Sequence, residues 1–224
     1  MNQSLVLTLM RKDWDLSWKP LLGFIALGFI GLAIIVFGHT QFTFIVGGVL
    51  LITSIVILGC FLVQATIAGE RKEQNLAFVM SLPVTIREYS WAKILFCFGA
   101  YLMVWGPLVG ASVYVVMSSP IPDGMMALFA PMFLELLCTL ALMVAVSIIT
   151  ESMQATVVIM TAGNIGVSLF MFSILRINDV ARQFTSATME WTPSILILIG
   201  SELLFIVATL ALTLYLQSRK TDFI

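Results

Sequence analysis

Six runs of roughly twenty apolar residues dominate this sequence, and each is long enough to cross about 30 Å of hydrocarbon as a helix. They cover residues 20–38, 42–66, 93–117, 127–149, 155–175 and 194–216 of the 224. The expected fold is therefore all-α and integral to a membrane, a single domain of six transmembrane helices. Composition leads the same way. Hydrophobic residues make up 60% of the chain and charged ones 10%, whereas a soluble domain keeps about a quarter of its residues charged to face water. Lipid must be the solvent. A net charge of −1 gives no footprint for nucleic acid.

The segments between the runs carry stop and turn chemistry. His39-Thr40-Gln41 makes a tight turn, and Pro120-Ile121-Pro122-Asp123-Gly124 is a turn by composition. Thr192-Pro193 places an N-cap and a first-turn proline before the last span. Basic residues set the orientation, because Lys and Arg are retained on the cytoplasmic side. Arg11, Lys12, Lys19, Arg71, Lys72, Arg87, Lys93, Arg219 and Lys220 fall on one side, and Arg176 and Arg182 on the other. Both termini are expected in the cytoplasm. Met1 to Lys19 mixes polar and apolar residues without a small-residue cleavage site, so it does not read as a signal peptide.

Within that N-terminal stretch, Val6, Met10, Trp14 and Trp18 recur every four residues, while Arg11, Lys12 and Asp15 lie off the stripe. The pattern predicts an amphipathic interfacial helix over Leu5–Trp18, with its tryptophans at headgroup depth. The alternative is a plain extension of the first span. Cys60, Cys97 and Cys138 lie in apolar runs, apart from His39, the lone histidine. Neither a metal-ligand spacing nor a disulfide framework is expected from them.

Intramembrane polar residues are the other candidates. Glu135 and Glu202 each sit about 12 Å below the outer surface, and a mid-span acid costs roughly 2.5–3.5 kcal/mol on insertion scales. Equal depth allows a shared polar layer, either contacting substrate or protons in a translocation path or bonded between helices without a transport role. Asn164, between Gly163 and Gly166, is a third candidate for the path or for an interhelical bond. Gly106 and Gly110 give the third span a small-xxx-small spacing for close helix contact, with Pro107 as a source of a kink.

The loop between the second and third spans is the most informative. Glu70-Arg71-Lys72-Glu73-Gln74-Asn75 ends the apolar run, and a short helix with Leu76, Val79, Met80 and Pro83 on one side follows. Pro83 stops it. Thr85-Ile86-Arg87-Glu88 reads as a capping box, which starts the next helix near Ile86. Together with Ser81-Leu82-Pro83-Val84-Thr85, Arg87-Glu88-Tyr89 and Ala92-Lys93, this stretch resembles the signature of type-2 ATP-binding-cassette (ABC) permeases. The resemblance covers about 25 residues, and six spans with cytoplasmic termini agree with it along the chain.

What the resemblance implies is specific. Glu70, Arg71, Glu73, Leu76, Val79, Leu82 and Pro83 would belong to a cytoplasmic coupling helix docked on an ABC ATP-binding subunit, with Glu151 in the 150–154 turn as a second contact. The chain would be half of an exporter in a bacterial-type plasma membrane. It would pair with a second permease chain, identical or related, and with two ATPase copies. ATP and Mg would be bound by those subunits, since this chain has no Gly-x-x-x-x-Gly-Lys-Ser/Thr motif. The chain itself is expected to have no catalytic residue, no metal site and no cofactor. A small outer element between Arg176 and Thr192 is also implied. Two rival readings differ in class: a proton-coupled secondary transporter using Glu135 and Glu202, and a non-transporting membrane assembly protein.

Overall fold

The computed structural model describes residues 3–38, 40–69, 86–119, 121–183 and 186–219. Six of its helices are long and apolar enough to cross a membrane. In chain order these are α1 (Gln3–Phe37), α2 (Gln41–Val63), α3 (Ile86–Ser118), α4 (Met126–Thr150), α5 (Met153–Ile174) and α7 (Pro193–Ser218). A short α6 (Asn178–Gln183) is the small element expected before the last span. α2 runs on through a π-helical turn, Gln64–Ala68.

Each helix end has a local cause. Thr40 caps α2 in a reciprocal box: the Thr43 amide donates to Thr40 Oγ1, and the Thr40 amide to Thr43 Oγ1, both at 3.2 Å. α4 ends on Glu151 in the left-handed region (φ 53°), and Ser152 then caps α5 by accepting from the Ala155 amide. The reversal from α4 to α5 thus takes only these residues. Thr192 stands at the N-cap of α7 with Pro193 at the first position, as its sequence suggests. However, its side chain makes no capping bond and its Oγ1 is buried without a partner.

α4 is the centre of the bundle. It packs against α7 and α5 on its flanks and against α2 and α3 as well, while α1 lies on α2 and α3. In its most apolar stretch 72% of α4 is buried, against 11% for α5 and for α7, so the last two present most of their surface outward. Along the spans, hydroxyls are spent within their own helices. Ser54, Thr66, Ser112, Thr161 and Thr213 each donate to a carbonyl three or four residues back. Hydrocarbon offers no other acceptor.

Two sequence expectations change. First, the N-terminal segment is not a separate interfacial helix: α1 is continuous from Gln3 to Phe37, 35 residues or about 52 Å. Its buried line is Val6, Leu9, Asp13, Ser17 and Leu21, while Trp14 and Trp18 are each 41% exposed. The arm holds its line because Val6 and Leu9 pack against Tyr89 and Ala92 of α3. Second, the close helix contact is not at Gly106 and Gly110, where an added Cβ would meet nothing within 4 Å. It lies between α1 and α2. A Cβ on Gly31 would sit 2.8 Å from the Gly47 carbonyl oxygen, and one on Gly47 would sit 2.5 Å from that of Gly31. The two backbones touch because neither residue has a side chain. Gly47→Leu is expected to lower stability by about 1–3 kcal/mol through overpacking, and Gly106→Leu to change it little. Thermal unfolding of both variants in detergent checks this.

Candidate functional site

The helix ends nearest most of the basic residues are tied together by a buried charge pair. Lys93 is fully buried in α3, and Asp13 of α1 is 2% exposed; Lys93 Nζ lies 2.8 Å from Asp13 Oδ2. Helical spacing explains the placement. Asp13 falls on the inward line of α1, one turn from Leu9 and from Ser17, and Lys93 lies one turn beyond Tyr89. The ammonium also sits 5.5 Å from the Tyr89 ring centroid, a cation–π distance. Around the pair are other buried polar groups. Thr66 Oγ1 and Cys97 Sγ are 3.3 Å apart, and Ser17 Oγ is buried without a partner. On the far side of α4, Gln217 Nε2 donates to the Ile148 carbonyl at 2.9 Å, joining the end of α7 to the last turn of α4.

Deeper in the bundle, polar side chains of three helices, α3, α4 and α7, gather. Glu202 of α7 is buried, and Glu135 of α4 is half-buried. Cys138, one helical turn on from Glu135, donates its thiol to the Glu202 backbone carbonyl at 3.5 Å, and Thr139 Oγ1 donates to Glu135 Oε1 at 3.4 Å. From α3, Tyr101 and Trp105 spend their donors on the α4 carbonyls of Leu136 (3.3 Å) and Phe133 (3.0 Å).

Asn164 stands on the other flank. Its Nδ2 lies 3.8 Å from Cys60 Sγ of α2, which is 4.0 Å from Met143 Sδ of α4. The outer side of Asn164 is open. With Thr161, Ile165, Ser168, Leu169 and Phe172 it lines a shallow groove of about 370 Å³ along a single face of α5. An exposed amide at mid-span is unusual for a surface that meets only lipid.

Glu151 occupies the α4–α5 turn at the same end as the Lys93 pair. Glu70, Arg71, Glu73, Leu76, Val79, Leu82 and Pro83 lie outside the described residues, as does Thr85 of the expected capping box. Among the described residues no three acidic, cysteine or histidine side chains gather as metal ligands, and the three cysteines are free thiols. No protein-family model, curated protein or solved structure matches this chain.

Sequence reasoning missed the Asp13–Lys93 pair. Lys93 enters the sequence reading as a topology marker and as part of the permease-like signature, and Asp13 not at all, yet the signal is present: an acid on the buried line of one helix and a lysine just inside an apolar run on another. Removing one member takes away the other's 2.8 Å partner, so Asp13→Asn or Lys93→Met is each expected to cost about 1.5–3 kcal/mol, whereas Asp13→Leu with Lys93→Met restores part of the loss. Thermal unfolding of the three variants gives the comparison, and equal midpoints throughout would contradict a desolvated pair.

Proposed function

We propose that this chain is the membrane permease subunit of an ATP-driven ABC exporter, seated in a plasma membrane with both termini in the cytoplasm. The observation that carries the reading is the stretch from Glu70 to Lys93, whose charged cluster, Leu-Pro turn and Glu-Tyr pair resemble the type-2 ABC permease signature. Six apolar helices long enough to span support it. So does Lys93, the last residue of that stretch, held inside the bundle by Asp13, which would anchor the descending end of the proposed coupling segment. In this reading residues 70–83 form the coupling helix, and Leu76, Val79 and Leu82 present the apolar face that enters a groove on the ATPase subunit. Glu151 touches the same subunit as a lesser contact. ATP and Mg belong to that partner.

One chain supplies half of a path, and the open face of α5 is where the other half fits. A second permease chain placed there covers Asn164, Thr161 and Ser168 and gives the exposed amide an acceptor. A two-fold axis would set Asn164 against its own copy, a contact that serves both subunits at once. The arm of α1 lies toward the headgroup layer, where Trp14, Trp18 and Lys19 suit the interface.

Affinity purification from native membranes tests the reading. An ABC ATP-binding subunit should co-purify, and Leu76→Asp with Leu82→Asp should abolish its recovery while leaving the chain folded; a chain that purifies alone contradicts it. For the second permease chain, two differently tagged copies should co-isolate, and Asn164→Leu should weaken that by about tenfold, the effect of one interhelical hydrogen bond of roughly 1–2 kcal/mol.

A further inference from the structure

The α4–α7 seam holds a side chain that nothing around it satisfies. Glu202 is 5% exposed, and neither of its carboxyl oxygens has a hydrogen-bond partner. Buried polar groups are nearly always paired, and one that is not calls for a ligand. We infer that Glu202 is a proton-binding site within the membrane.

The neighbouring groups select the proton among possible ligands. A divalent cation such as calcium needs six or more oxygens around it, and among the described residues no three acidic or thiol ligands converge. Cys138 is spent on the α7 backbone, and Tyr101 and Trp105 on the α4 backbone. A proton needs a single oxygen and no cavity. Charge leads the same way. From α4, Glu135 and Cys138 face Glu202. From α3 the nearby titratable group is Tyr101, whose hydroxyl is engaged. From α6 come Asp179 and Arg182, with Asp179 accepting from Ser194 Oγ at 2.5 Å in the first turn of α7. Among the described residues, the charged group acting on Glu202 is Glu135, another acid. A lone carboxylate there would have neither a donor nor a counter-charge.

Glu202 is enclosed, whereas Glu135 is only half-buried and already accepts from Thr139. α4 and α7 contribute one carboxyl each, so occupancy of the site bears directly on how the central helix packs against the last. This inference does not depend on an ATPase partner and stands or falls separately from the exporter reading.

Carbodiimide labelling tests it on the full chain in phospholipid vesicles. An apolar carbodiimide reacts with the protonated carboxyl and leaves a stable acylurea, which peptide mass spectrometry locates. The expected result is an adduct on Glu202 that falls several-fold as pH is raised. Glu202→Gln should remove it, and Glu135→Gln should keep it. Absence of label on Glu202 in the wild-type chain, or label that is constant with pH, overturns the inference without recourse to any variant.

Discussion

The pairing of Asp13 with Lys93 fixes how the ends of α1 and α3 stand to one another. Charged groups removed from water need partners, and at 2.8 Å, with Tyr89 beside the ammonium, each finds one in the other. Once that contact is set, Val6 and Leu9 fall against Tyr89 and Ala92, and the arm of α1 is docked on α3. α1 then continues without a break to its close crossing with α2 at Gly31 and Gly47. α1, α2 and α3 therefore form one side of the bundle, joined at the basic end by charge and farther along by backbone contact.

The other side is built differently. α4 is surrounded by α2, α3, α5 and α7, and its polar contacts are made mainly through backbone carbonyls, from Tyr101, Trp105 and Gln217. The exceptions are Glu135, Thr139 and Cys138, which face the seams toward α5 and α7. α5 and α7 have little packing beyond α4, so the surfaces they leave open are where lipid or another chain must contribute. The difference between the flanks is chemical: α7 turns an acid inward, and α5 turns an amide outward.

Much of this was legible in the sequence because hydrocarbon is an undiscriminating solvent. Twenty apolar residues in lipid have one backbone solution, so the spans, their order and the ends at Thr40 and Pro193 follow from local chemistry. What the sequence hid depended on which helix faces which. Gly106 and Gly110 have the spacing of a contact, but no neighbour lies there, whereas Gly31 and Gly47 lie on separate helices and form no motif within either. The arm misled for a related reason. Trp14 and Trp18 are the largest apolar side chains on it and define an apparent stripe, but its direction was set by Asp13, whose partner lies 80 positions away. Periodicity finds faces, and a charge buried by a distant partner is invisible to it.

The claim on which the account rests is that the arm of α1 is docked along α3 as part of the bundle. Hydrogen–deuterium exchange on the full chain in lipid nanodiscs measures it directly. The account predicts that amides of residues 6–19 exchange as slowly as those of residues 90–97 in α3, since both belong to one packed unit. Rapid exchange over residues 6–19 beside a protected α3 would contradict it.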